Sequence, residues 1–313
     1  MADPAIRPAS RRWRATLRGV RRIFAGPHFR LVPGPDAEPR PPIDARAQSW
    51  SDLRHQAVRR LLRMHHESRV GHIGGNLSCL DMLLALHHDV LGPDDRFVLS
   101  KGHSAGAYYV TLWTLGRLGD DDLRQFHGEG TRLSGHPPAS GIEDVLFATG
   151  SLGHGLSLAA GLAMAKRLKG EPGRVFCLMS DGEWDEGSCW EALIFASHQR
   201  LSNLAILVDL NGLQGFGTTA EVADLGPLAD KFRAFGATTR EVDGHSRGAI
   251  VAGLDADGQG PVALVGRTIK GKGVSFMEGR MDSHYLAMSD PQYLQALEEV
   301  DRLHGYGMAR HHA

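Results

Sequence analysis

Four acidic side chains crowd the stretch LMSDGEWDEG at residues 178–187: Asp181, Glu183, Asp185 and Glu186. An apolar run, RVFCLMS, leads into them. Carboxylates placed so soon after a strand form either a solvated turn or a site for a cation. Asn211 ends a second apolar run, LAILVDLN, thirty positions after Asp181. If the two runs are neighbouring parallel strands, Asp181 and Asn211 meet at the carboxyl edge of the sheet, where ligands bind. One carboxylate, one amide oxygen and a nearby backbone carbonyl suit a hard cation, Mg²⁺ or Ca²⁺, and Mg²⁺ usually completes its shell with phosphate oxygens. Gly182 lets the backbone approach a phosphate, and the helix after it offers a positive N-terminus. An Asp-Gly pair alone is ordinary turn chemistry; the strands and their spacing give it weight.

Imidazoles are the second chemical signal. The chain has 17 His, and five follow glycine: His72, His103, His136, His154 and His245. Gly-His in a loop puts an imidazole on tight, exposed backbone, and such a group moves protons near neutral pH. His65, His66, His87 and His88 are expected on helix surfaces. Lys270 and Lys272, in IKGKGVSF, belong to a flexible loop that is either solvated or closes over the site.

These residues need a frame. Leu53, Ala57, Val58, Leu61 and Leu62 recur at helical spacing, with Ser51 as the expected N-cap. GHIGGNLS breaks that helix, and LSCLDMLLALHHDVL forms a second. DRFVLS reads as a strand leading into the loop KGHSAG. LSLAAGLAMAKRLKG is a small-residue helix closed by Gly170. RVFCLMS, then EGSCWEALIFASHQRL, then LAILVDLN is a βαβ unit whose strands are apolar throughout, so both faces of the sheet are covered. TTREVDG, a helix near 246–254 and PVALVGRTI extend it. The fold expected is α/β, a three-layer αβα sandwich with a mostly parallel sheet, over residues 46–313. Residues 1–45 read as a basic, Pro-rich flexible extension.

Composition narrows the function. Charged residues make up 23% and the net charge is −1, so no global field favours nucleic acid or a membrane surface. Residues 1–40 hold nine Arg against Asp3, Asp36 and Glu38, a net of +6, which leaves −7 for the remainder. Cys79, Cys177 and Cys189 show no metal or CxxC spacing, as in a reducing, cytoplasmic setting. Ser10-Arg11-Arg12-Trp13 lacks the apolar segment of a twin-arginine signal. No apolar run approaches the roughly 18 residues of a membrane span.

SDGEWDEGSCWEALIFASHQRLSNLAILVDLNGLQ resembles the thiamine diphosphate fingerprint, a GDG followed about thirty residues later by Asn. Four more segments resemble the amino-terminal half of transketolase, in that family's order. They are GHIGGNLS, DRFVLSKGHSAGAYY, SGHPPASGIEDVLFATGSLGHGLSLAAG and GRTIKGKGVSFMEG, and the resemblance covers about residues 50–290. It implies thiamine diphosphate and Mg²⁺ (or Ca²⁺) as cofactors. Asp181 and Asn211 would ligate the metal, with the Leu213 carbonyl. Gly182, His103 and His284 would contact the diphosphate. His72 and His136 would face the reactive carbon and the substrate hydroxyls. Gly150, Leu152 and Gly153 would line the cofactor, with His154 near it. Glu186 would sit at a subunit interface, bonded to another acid; with His72, His103 and His136 it makes up the catalytic set. Glu183 is assigned to the cofactor site, although with Asp185 it also reads as a solvated turn residue. Ser180 replaces the first Gly of GDG. It keeps most of the space for the diphosphate, but a backbone angle that favours glycine would strain it and lower affinity.

The resemblance also implies what must come from elsewhere. Nothing after residue 290 is similar to the domain that holds the cofactor's pyrimidine ring. The expected assembly pairs this amino-terminal subunit of a split transketolase with a carboxy-terminal, pyrimidine-binding chain, two of each (α2β2). It would transfer a two-carbon ketol unit between small sugars or sugar phosphates, whose identity the other half sets. The rivals are an α-type subunit of another thiamine diphosphate enzyme (a 2-oxo acid dehydrogenase or deoxyxylulose phosphate synthase) and a non-catalytic subunit that keeps the fold. The dehydrogenase subunit would lack GHIGGNLS and SKGH, the synthase has a related GHG segment but a longer chain, and the non-catalytic subunit would have lost its ligands.

Overall fold

The computed structural model describes residues 49–306 apart from Ser140 and Asp257; all of them belong to the compact unit Pro39–Ala313. The basic extension at 1–45 lies outside the described residues. Five strands form one parallel sheet: β1 (Arg96–Leu99), β2 (Val175–Ser180), β3 (Leu204–Leu210), β4 (Thr238–Asp243) and β5 (Val262–Arg267). Their spatial order is β1-β2-β3-β5-β4. Burial of β2, β3 and β5 on both faces explains their nearly unbroken apolar sequence.

Alternation along each strand divides the core. Phe176, Leu178, Leu207 and Leu264 point to one side. There they meet α1 (Trp50–Ser68), α2 (Ile73–Ala85) and α3 (Ala105–Thr114). Cys177, Met179, Ile206 and Val208 point to the other side. They meet α4 (Gly155–Lys169), α5 (Gly187–His198) and α6 (Leu228–Ala234). Helices α7 (Arg247–Leu254) and α8 (Asp290–Leu303) complete the first layer. The result is the expected three-layer αβα sandwich. Among the described residues no helix is long and apolar enough to cross a membrane.

Three local expectations fail for identifiable reasons. The N-cap of α1 is Ser49, whose Oγ accepts the Asp52 N–H at 3.1 Å; Ser51 lies inside the first turn. The chain does break between α1 and α2, but α2 starts at Ile73, so Gly74 and Gly75 lie inside it and not in the connecting loop. A Cβ on Gly74 would lie 2.2 Å from Ser283 Oγ, so the bare backbone lets the helix start beneath that loop. The helix then ends in a π-helical turn, Leu86–Val90. Of the paired histidines, His65 and His87 are buried, and their Nδ1 atoms lie 3.1 Å from Leu61 O and 2.9 Å from Leu83 O. Only the second of each pair turns outward. Successive helical residues point about 100° apart, so an adjacent pair cannot share a face.

Candidate functional site

The register pairs Ser180 with Asp209, so Asp181 and Asn211 follow directly from adjacent strand ends. Asp181 is buried. Its Oδ1 accepts the Gly182 N–H at 2.8 Å and its Oδ2 accepts the Gly212 N–H at 2.6 Å. Burial, with the negative charge of Asp209 nearby, pushes the carboxyl up to about 6. It has no ion pair among the described residues. Asn211 Oδ1 accepts the Leu213 N–H at 3.1 Å. The Leu213 carbonyl accepts Lys270 Nζ at 3.1 Å, and the same Nζ lies 2.9 Å from His284 Nδ1. Burial and the Lys101 charge lower the Lys270 ammonium to about 8. The three expected metal-binding groups are thus gathered in two facing loops.

Beneath them lies a polar node that the sequence does not reveal. Asp209 is fully buried and paired with Lys101, itself fully buried. It also accepts Ser78 Oγ and Thr268 Oγ1, and Asn211 Nδ2 at 3.3 Å. Burial alone would raise its pKa, but Lys101 holds the carboxyl below the usual range. This node anchors Asn211 from below. One signal was present, a lone Asp inside LAILVDL, but its partner lies 108 positions away.

Four imidazoles converge beside the strand ends. The His72 ring centroid lies 5.8 Å from that of His103, 6.3 Å from His136 and 5.0 Å from His284. His72 caps α2 at φ 63°, a left-handed conformation that costs a non-glycine residue of order 1–3 kcal/mol. Its backbone N–H donates to His284 O at 2.9 Å, and among the described residues its buried Nδ1 has no hydrogen-bond partner. Burial lowers all four, with the neighbouring charges adding to it at three. His284 falls to about 4, His103 goes well below its usual value, and His72 and His136 are lowered. Each therefore takes up a proton less readily than a free imidazole.

The loop before α4 forms the other wall. Gly150 and Gly153 have φ of 141° and 85°, which favour glycine. A Cβ on Gly150 would meet His136 Cδ2 at 2.8 Å, and one on Gly153 would meet Glu186 Cβ at 2.7 Å. Leu152 is half-buried between them. Glu183 is not a solvated turn residue. It is fully buried, and its carboxylate accepts Ser100 Oγ, the Gly153 N–H at 2.9 Å and the Ser180 N–H at 3.3 Å. It thus ties the Gly153 loop to the end of β2. Asp185 is exposed, as expected. His154 and Glu186 are exposed at the N-terminal ends of α4 and α5, outside the imidazole group. Ser180 ends β2 with no left-handed backbone angle, so its Cβ introduces no strain.

The residues present fit a metal–diphosphate cofactor. A buried carboxylate without a counter-charge awaits a cation. Gly182 has no room for a Cβ, which would lie 2.8 Å from Gln214 Cβ. Among the described residues no three His, Cys, Asp or Glu side chains are grouped to hold a metal, so a cation here relies on the mixed set of carboxylate, amide and carbonyl.

An open parallel sheet with such a set at adjacent strand ends, walled by glycine turns and imidazoles, defines an α/β domain for a phosphorylated cofactor. Residues 55–300 match the family described as transketolase, thiamine diphosphate binding domain. The chain is 39% identical over 257 residues to one of the subunits of the apulose-4-phosphate transketolase of Phocaeicola vulgatus, a match that covers 77% of this chain and 90% of that relative. It is 37% identical over 267 residues to the 6-deoxy-6-sulfo-D-fructose transketolase subunit SqwG of a Clostridium species, covering 80% and 97%. Among solved structures, transketolase from Leishmania mexicana superposes with a TM-score of 0.74 at 26% identity, over 84% of this chain and 42% of that one. The chain therefore spans well under half of that transketolase. It belongs to the transketolase family, as the amino-terminal, thiamine diphosphate-binding part.

Proposed function

We propose that this chain is the diphosphate-binding subunit of a two-subunit transketolase, built as a single domain over residues 46–313. With a partner chain that carries the pyrimidine-binding domain, in an α2β2 assembly, it transfers a two-carbon ketol unit from a ketose or its phosphate to an aldose or its phosphate. The observation that carries this reading is the buried Asp181, with no ion pair among the described residues, beside Asn211, the Leu213 carbonyl and four imidazoles. It is supported by relatives of nearly the same length that are themselves named as transketolase subunits.

Asp181, Asn211 and the Leu213 carbonyl hold Mg²⁺ or Ca²⁺. Gly182, His103 and His284 take the diphosphate, with Lys270 beside them as a cation. Gly150, Leu152, Gly153 and His154 line the cofactor, and Glu183 fixes that wall from behind. When bound, thiamine diphosphate supplies the electron sink that carbon–carbon cleavage beside a ketose carbonyl requires. His72 and His136 move protons to and from sugar hydroxyls. Glu186, exposed at the start of α5, faces the neighbouring subunit. The test is capture of the chain from its native cell extract. A stoichiometric partner of similar size with a pyrimidine-binding domain is expected. A homo-oligomer that neither gains a partner nor binds thiamine diphosphate would overturn the reading.

A further inference from the structure

The segment carrying Lys270 leaves the sheet at the end of β5, and its first backbone groups are tied down in turn. Thr268 N–H donates to Leu210 O at 3.0 Å, and Gly271 N–H donates to Gly74 O at 2.9 Å. Between them, Ile269 N–H donates to a side chain, His245 Nε2, at 2.9 Å. A ring nitrogen that accepts carries no proton, so the proton of neutral His245 sits on Nδ1. Nδ1 faces Asp81 Oδ2 at 2.8 Å. Asp81 is 1% exposed within α2, and its other oxygen accepts Arg54 Nε at 2.6 Å. A buried carboxylate held from α1 thus sets both the tautomer and the orientation of the ring.

The backbone is shaped for this reach. Gly244 N–H donates to Arg267 O at 2.9 Å, and a Cβ on Gly244 would lie 2.5 Å from Thr268 Cγ2. Only glycine brings the turn after β4 so close to the end of β5, and the next residue is His245. Among the described residues His245 makes no ring contact with the four site imidazoles. Its contacts lead instead to the backbone beside Lys270, whose Nζ reaches Leu213 O and His284 Nδ1.

We propose that Asp81 and His245 form a positioning dyad. It fixes the backbone at 269–270, and so places Lys270 and sets the affinity for the cofactor's diphosphate. This inference rests on the proposed function. Neither residue touches the ligand; both act through Ile269.

Two conservative variants separate this role from simple packing. The side-chain amide of Asn reproduces the ring's Nδ1 position and that of Gln its Nε2 position. His245→Asn therefore keeps a bond to Asp81 and loses the acceptor for Ile269 N–H, whereas His245→Gln keeps the acceptor. Hydrogen–deuterium exchange of the full chain, without cofactor, reads residues 269–272 directly. His245→Asn is expected to exchange there about tenfold faster, the scale of one lost hydrogen bond. His245→Gln, which keeps the acceptor but loses the Asp81 bond, should exchange faster than wild type by less than that, and β5 should be unchanged in both. Fluorescence titration of thiamine diphosphate with Mg²⁺ into the assembled pair should show a Kd about tenfold weaker for His245→Asn, with His245→Gln between it and wild type. Equal behaviour of the two variants, whether both normal or both impaired, overturns the dyad. If His245→Asn does not fold, Asp81→Asn is the second probe; unchanged exchange at 269–272 then overturns it. A wild-type pair that binds no thiamine diphosphate refutes the proposed function instead, and the exchange result is unaffected.

Discussion

Asp209 lies in β3 and Asp181 just past the end of the neighbouring β2, at the same edge of the sheet, and both are buried. Asp209 carries its counter-charge within the chain. Lys101 pairs with it, two hydroxyls and an amide satisfy its oxygens, and its pKa is held down. Among the described residues Asp181 meets two backbone N–H groups and no ion-pair partner, and burial raises it to about 6. One carboxylate is finished structure and the other is an incomplete site. The difference separates stability from binding at a distance of one strand.

The strongest way to break that comparison is to remove Lys101. Lys101→Met strands a buried charge and should cost about 3–5 kcal/mol in urea unfolding. Adding Asp209→Asn should recover part of it, and a loss below about 1 kcal/mol would show that Asp209 does not depend on Lys101. Asp181→Asn should behave oppositely. Its cofactor-free stability should fall far less, because the lost acceptor for one backbone N–H is offset by removal of a charge that burial disfavours. Its metal-dependent binding of thiamine diphosphate should fall by more than the roughly 10–100-fold typical of losing a group that merely supports a ligand. Calorimetry reads the second effect.

A pH series extends the contrast to histidines. Burial holds His65 near 4 and His87 near 3, against 6.5 in the unfolded chain. The unfolded state therefore binds protons that the folded state refuses. Their share of stability is intact above about pH 6.5 and is lost as pH falls toward 4, each costing about 1.4 kcal/mol per unit. His87→Phe should flatten that slope, as followed by unfolding at several pH values; an unchanged slope would mean that the ring is not held neutral. Ser180→Gly should do least. With no left-handed angle to relieve, the family glycine should leave cofactor affinity within about threefold and lower stability by roughly 0.5–1 kcal/mol. A large gain in affinity would show that Ser180 does obstruct the diphosphate.

The sheet was legible because buried parallel strands are written as apolar runs, and the register then brought Asp181 and Asn211 together as the spacing required. The Gly-His pairs pointed to three of the four clustered imidazoles, and family resemblance added His284. Lys101 with Asp209, and Glu183 with Ser100, were not legible. Each pair joins residues far apart in the chain, and neither composition nor periodicity records such a partner. The start of α2 was misread for a similar reason. Gly74 and Gly75 look like breakers until the loop packed against them is known.

The most direct test of the account is reconstitution of ketol transfer from this chain and its partner, with Asp181→Asn alongside. Transfer should require both chains, thiamine diphosphate and a divalent cation, and should be lost in the variant although it folds and assembles normally. Undiminished transfer by Asp181→Asn, or wild-type transfer that needs no thiamine diphosphate, would contradict it.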